Sequence, residues 1–265
     1  MIMKLQDRDY TLILTNEEKL AYEDELAYES KKGIKNPKDS PRFSHADKEI
    51  RRFVWHKSSL YPNNFLYLSE YKNLNFELEA NKFRDVIYNA TNELEIQQYI
   101  KSNKKWFIPG SIFLDYNFGH HDAYLFPEQQ LGNEYAADYM LVGKNSDGYS
   151  IVLVELEKAN TEYLLTTANT ESESVRKGLT QIQDWKRWID YNRDYFLKNT
   201  GLYQRGIDIP VHRIYYYLIV SRRDFMNQTA LDVRSQSMYE KINTKIVTFD
   251  RVVDNIKKLG ERPVW

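Results

Sequence analysis

Apolar and polar positions along the chain change period several times, and the changes mark the elements. Between Tyr135 and Ala159, "YAADYMLVG" and "YSIVLVELEKA" are near-continuous apolar runs separated by "KNSDG", which predicts two strands joined by a turn. Upstream, "TNELEIQQYIKSNKKWF" puts Ile96, Tyr99 and Ile100 on one face with Leu94 nearby, so it reads as a helix. Downstream, "VRKGLTQIQDWKRWIDYNRDYFLKN" repeats the helical spacing through Leu179, Ile182, Trp185, Trp188 and Ile189. "GSIFLDYNFGHHDAYLFPEQQLGNE" reads as strand and loop, and "TEYLLTTANTESES" as a loop. "RIYYYLIVSRRD" reads as a strand, and "INTKIVTFDRVVDNIKK" as a strand followed by a short helix. Helix, strands, helix, strand, helix is the order of an α/β or α+β domain with a central mixed sheet flanked by helices.

Residues 1 to about 82 have another texture. "DYTLILT", "RRFVWH" and "NFLYLSEY" read as strands. "NEEKLAYEDELAYESKKG" reads as a helix with an Asn cap and a glycine stop, and "IKNPKDSPRFSHADKE" as a polar loop. No catalytic motif falls here. A small accessory or sensor region over residues 1–82 and a main domain over 83–265 is the expected division.

Composition narrows the class. The 265 residues are 42% hydrophobic and 28% charged, in the range of an ordinary globular protein that can bury a sizeable core. Cysteine is absent, which excludes disulfides and thiolate metal sites. No apolar run reaches membrane-span length and the first residues lack a signal-peptide pattern, so a cytoplasmic protein without membrane association is expected. The net charge of −1 gives no global basic field, although the chain is acidic from Thr91 to Glu162 and basic beyond.

The chemistry concentrates in the two central strands. Alternate residues of a strand share a face, so Glu155 and Glu157 point the same way, and a hairpin turn would bring Asp138 opposite Glu155. Carboxylates gathered in this way repel one another and make sense around a hard cation held by oxygen ligands, Mg²⁺ or Mn²⁺. The plain alternative is a strand edge whose acids face water or pair with Lys144, Lys158 or Arg176.

An acid, a turn, and then acid-x-(Lys or acid) on the next strand resembles the PD-(D/E)XK nuclease superfamily. More of the chain resembles the Shedu anti-phage defence family: "NELEIQQYIKSN" with its Glu-x-x-x-Gln, "PEQQLGNEYAADYML", "VLVELEKAN", "GLTQIQDWKRWID", "YLIVSRRD" and "TKIVTFDRVVDNI" follow in order. The resemblance implies a restriction-endonuclease-like domain that cuts DNA and forms homo-oligomers. It implies Asp138 and Glu155 as metal-holding acids with Glu93 completing the pocket, and Glu157 standing where lysine is usual and activating water. Gln181, on the helix over the site, would steady water or phosphate. Lys158 is the alternative to Glu157, although it should point to the opposite face. A catalytically inactive nucleic-acid-binding or sensor module with the same fold, or a structural α/β scaffold, would fit the same strands.

Other candidates read as structural. His120 and His121, adjacent in sequence, suit a loop better than a shared metal, and Trp185 and Trp188 suit core packing. Arg222 and Arg223 could meet a phosphate backbone or pair with Asp224 and nearby acids.

Overall fold

The computed structural model describes residues 3–31, 36–165 and 170–261. They divide into two compact units, one over residues 4–65 and one over residues from 66 onward. The division lies between Phe65 and Leu66, whereas the sequence suggests a boundary near Lys82.

The N-terminal unit is helical. Helix α1 (Asn16–Ser30) starts from a capping box in which Thr15 accepts from the Glu18 amide and the Glu18 side chain reaches back to the Thr15 amide. The short α2 (Pro41–Ser44) leads to α3 (Lys48–Ser58), capped by Asp47. Tyr10, Ala21, Ile50, Phe53 and Val54 form the core. "RRFVWH" is therefore helix, not strand: with Ile50, its Phe53 and Val54 repeat at three and four residues, a period hidden in so short a run. "DYTLILT" is not a strand either. It is a turn region that leaves Leu12, Ile13 and Leu14 exposed. "NFLYLSEY" ends in a 3₁₀ turn over Leu68–Tyr71 rather than a strand. Thr15, not Asn16, caps α1, and the glycine proposed to stop that helix lies outside the described residues.

The larger unit opens with α4 (Phe76–Asn89) and α5 (Glu93–Ser102), capped by Asn75 and Asn92, and the short α6 (Phe107–Gly110). The sheet strands are β1 (Asp122–Leu131), β2 (Tyr135–Asn145), β3 (Gly148–Leu156), β4 (Ile214–Ile219) and β5 (Thr244–Val247), in spatial order β1-β2-β3-β4-β5. The first three form an antiparallel meander, and β3, β4 and β5 run parallel. Helix α7 (Glu173–Asn199) connects β3 to β4, α8 (Gln228–Glu240) connects β4 to β5, and α9 (Phe249–Leu259) follows β5. This is the expected mixed sheet with flanking helices. Two helices lie beyond the sequence reading: α4 and α8. Helix α8 buries only Ala230 and Ser237, so its apolar pattern is too faint to announce it. Among the described residues no helix is long and apolar enough to cross a membrane.

Strand β3 is covered on both faces, and Ile151, Val152, Leu153 and Val154 have no exposed surface. That explains an apolar run without alternation. Helix α7 packs against β1, β3 and β4, with Leu179, Ile182, Trp185 and Ile189 buried and Trp188 half-buried, as its periodicity predicts. A buried hub ties β4 to α9. Asp115 accepts from Arg251 Nε at 2.9 Å, from Asn255 Nδ2 at 3.1 Å and from the Tyr217 hydroxyl, tying the 3₁₀ segment Ser111–Asp115 to β4 and α9. Despite its burial, those donors hold the Asp115 carboxyl below its ordinary pKa.

Gly178 sets how closely α7 approaches the sheet. A β-carbon there would collide with the Leu218 side chain and lie 3.1 Å from Glu157 Cγ. Overpacking of this kind costs about 1–3 kcal/mol. Gly178→Ala should therefore lower the melting temperature even though alanine is the better helix former. An unchanged or raised melting temperature would show that the helix seat is loose.

Candidate active site

Asp138, Glu155 and Glu157 meet at the C-terminal end of β3, as the strand register dictates. The β2–β3 ladder is paired through Tyr139 and Val154, so the next facing positions are Asp138 and Glu155. Both ladders around Asp138 lapse at that point. On the β1 side, pairing holds at Pro127–Tyr139 and resumes at Gln129–Ala137, skipping Glu128, whose φ of 52° lies in the left-handed region. A non-glycine residue there carries about 1–2 kcal/mol of strain. The gap frees the local backbone, and the Asp138 carboxylate fills part of it. The Leu156 N–H donates to Asp138 Oδ2 at 2.6 Å, and Gln97 Nε2 donates to Asp138 Oδ1 at 2.8 Å.

Helix α5 supplies Gln97 and Glu93 because its start is tied to the end of β3. Asn160 Nδ2, just past that strand, lies within 2.9 Å of the Ile87 carbonyl, 3.2 Å of the Tyr88 carbonyl and 2.7 Å of the Ala90 carbonyl. These carbonyls close α4 immediately ahead of α5. Helix α7 supplies a cation from its first turns. Lys177 Nζ lies 3.0 Å from Glu157 Oε1 and 3.5 Å from Glu93 Oε1. One helical turn on, Gln181 Nε2 lies 3.5 Å from the Ala136 carbonyl, beside Asp138 rather than on it. Lys158 is exposed and makes no ion pair among the described residues.

The electrostatics set these acids apart from Asp115. Glu155 and Glu157 are 5% and 1% exposed, and Glu155 Oε2 is buried without a hydrogen-bond partner. Burial first, then the charges of Asp138 and Glu157, push the Glu155 carboxyl well above the ordinary carboxylate range. Burial and the Glu157 charge also raise Asp138, against the two hydrogen bonds it accepts. Glu157 is raised by burial and partly relieved by Lys177. Burial disfavours the Lys177 ammonium, but Glu157 and Glu93 outweigh it and hold the charge in place.

The donors are all oxygen, one is orphaned, and the protonation they retain is what a bound cation would displace, so the residues suit a hard divalent ion. Among the described residues no three acids or histidines, Asp138, Glu155 and Glu157 included, are gathered closely enough to hold a metal ion, and Glu93 lies beside Lys177. An open cavity of about 680 Å³ lies alongside, lined by Ala136, Arg176, Lys177 and Gln181 among others. Two cations and an amide there share the wall with three carboxylates, Glu134, Glu173 and Asp184.

Gln97, Asn160 and Lys177 were not assigned from the sequence. Gln97 had a signal, as the second member of the Glu-x-x-x-Gln pattern. Lys177 had a weaker one, standing four residues before Gln181 on the same helical face. The remaining candidates stay outside the site. The His120 and His121 rings lie against each other ahead of β1, at 4.5 Å between centroids. Arg222 pairs with Asp224 at 3.1 Å and lies over the Tyr88 ring, and Arg223 pairs with Asp254 at 2.7 Å.

A mixed sheet with acids on two adjacent strands and an acid-x-acid at the end of the central one is the frame of the candidate site. The C-terminal family of the Shedu protein SduA matches residues 90–253, more than half of the chain, and the chain belongs to that family. No curated protein matches. Among solved structures, the restriction endonuclease FokI bound to DNA aligns at 9% identity with a TM-score of 0.33, over 72% of this chain. The chain spans 31% of the FokI chain.

The raised Glu155 pKa has a sign that can be tested. In the unfolded chain this carboxyl ionises in the ordinary range, whereas in the folded protein it stays neutral to higher pH. Folding therefore loses nothing at acid pH and is progressively weakened as pH climbs from the ordinary carboxylate range towards the raised folded value. In EDTA, Glu155→Gln should raise the melting temperature more at pH 8 than at pH 5. An equal effect at both values would mean that Glu155 is solvated and unstressed.

Proposed function

We propose that this protein is a metal-dependent DNA endonuclease acting in anti-phage defence. The observation that carries the reading is the convergence of Asp138 and Glu155 in a desolvated strand end where Glu155 keeps an orphaned oxygen. Carboxylates strained in this way are costly to a fold and valuable to a cation site.

In this reading Asp138 and Glu155 hold Mg²⁺ or Mn²⁺, and Glu93 joins them by exchanging Lys177 for the ion. The ion supplies Lewis-acid stabilisation of a phosphodiester oxygen and lowers the pKa of a water. The Leu156 N–H and Gln97 fix the Asp138 carboxylate so that it enters the site in one orientation. Glu157 accepts the proton of the attacking water, a role helped by burial raising its pKa. Lys177, released from Glu93, and Gln181 hold the phosphate, so a lysine from α7 takes over the charge that Lys158 is too exposed to provide. DNA lies along the Arg176–Lys177–Gln181 cavity. Cutting both strands calls for two such sites, and hence a homo-oligomer.

A non-catalytic DNA-binding or sensor module is the second reading. It is favoured by the Lys177–Glu157 pair, which already satisfies part of the acidic charge without metal.

Plasmid and linear DNA incubated with Mg²⁺ or Mn²⁺, against EDTA, separates the two. Asp138→Ala and Glu155→Ala should abolish cleavage while the proteins remain folded, and Glu157→Gln should slow it by roughly 10²-fold, the usual scale for losing a general base. Wild-type rates in either alanine variant would remove the metal assignment. DNA binding should tighten when Ca²⁺ replaces EDTA at fixed ionic strength, and Asp138→Ala should erase that gain. A binding module would instead bind more weakly with the divalent ion, which competes for phosphates.

A further inference from the structure

A second cavity, of about 540 Å³, lies at the edge strand β5 and has no part in the acidic site. Its polar wall carries Arg223, Arg234, Lys245, Thr248 and Arg251, against a single lining carboxylate, Asp115. Of these cations, Arg251 is committed to Asp115 and Arg223 to Asp254. The Asp250 carboxylate is also engaged, accepting from the Arg223 amide at 2.6 Å. Lys245 donates to the main-chain carbonyl of Asp115 and forms no ion pair among the described residues. Arg234, on α8, has neither a hydrogen bond nor an ion pair among the described residues, and its Nε is buried without a partner. Two cations are thus unmatched by any carboxylate within salt-bridge distance.

Thr248 gives the cavity a second, independent mark. It is the N-cap residue of α9 and only 5% exposed, yet its hydroxyl neither caps the helix nor meets another described group. The hydroxyl is not sealed off from the cavity and is free to donate to an anion, which a helix N-terminus favours. The opposite wall is apolar and pliable, with Met226, Leu231 and Met238. The volume exceeds what a bare phosphate fills and falls in the range of small-molecule sites.

We propose that this cavity is a nucleotide-phosphate site. The phosphomonoester is held by Thr248, the α9 N-terminus and Arg234, with Lys245 adding charge, and the base rests on the methionine wall. The nucleotide is either free or the terminal one of a DNA strand. β3, β4 and β5 are parallel, so Thr248 and Glu155 both lie towards the C-terminal ends of their strands. The inference does not depend on the acidic site being catalytic.

Calorimetric titration of the full-length protein in EDTA tests it without any cleavage step. The probes are deoxyadenosine, dAMP, and a short duplex with and without 5′-phosphates. We expect dAMP or the phosphorylated duplex to bind at least tenfold more tightly than its unphosphorylated counterpart. Arg234→Gln and Thr248→Val should each weaken that binding about tenfold, the scale of a lost hydrogen bond to a charged group. Arg234→Lys should recover part of it. A response to dAMP alone identifies a free nucleotide, and one to the phosphorylated duplex identifies a strand end. Asp138→Asn should leave phosphate binding unchanged, so failure of the acidic-site reading would be visible separately. Thr248→Val is nearly isosteric and removes no cap bond, and melting curves check that both variants fold. No preference for phosphorylated probes, or unaltered binding in folded Arg234→Gln and Thr248→Val, would overturn the proposal.

Discussion

The acid end of the sheet depends on one hydrogen bond, from the Leu156 amide to the Asp138 carboxylate. Leu156 is the last residue of the central strand, and Asp138 lies where β2 has lost its partners on both sides. An unpaired amide and an unpaired acid would each be costly in so enclosed a place. Together they let β2 and β3 part without leaving either exposed. The parting brings Glu155 and Glu157 into a space that α5 and α7 then close. The left-handed Glu128 opposite is the strain that accompanies it, and it stays tied to α5 through Lys101 at 2.7 Å.

Two buried acid centres in one domain show how environment decides the role of a carboxylate. Asp115 is surrounded by donors and held ionised, so it acts as a structural rivet between β4, α9 and the 3₁₀ segment. Glu155 is as buried but faces other acids and has an oxygen with nothing to bind. The first stabilises the fold as it stands. The second lacks a counter-charge of its own, and Lys177 is shared between Glu157 and Glu93.

Much of this was legible in the sequence because it follows from periodicity. Acids two apart in a strand must share a face, and a tight turn must bring Asp138 across from Glu155. The helical stripe from Leu179 to Ile189 had to find a sheet. What escaped was carried by contacts between elements remote in the chain. Lys177 reaches Glu93 and Glu157 from another helix, and Asn160 joins carbonyls some seventy positions away. The N-terminal strands were misread for a different reason: runs such as "RRFVWH" are too short to tell a period of two from one of three to four, and β-prone residues tipped the reading.

The exposure of Lys177 couples the acid site to the solution around it. The side chain is 55% exposed while the Glu157 it faces is 2% exposed. Mobile ions can reach the lysine but not its partner, so screening is one-sided. In dilute buffer the ammonium offsets the buried acids. As ionic strength rises, its attraction for the acids is screened and the offset weakens. The salt-sensitive member of the pair thus sits where α7 enters the site.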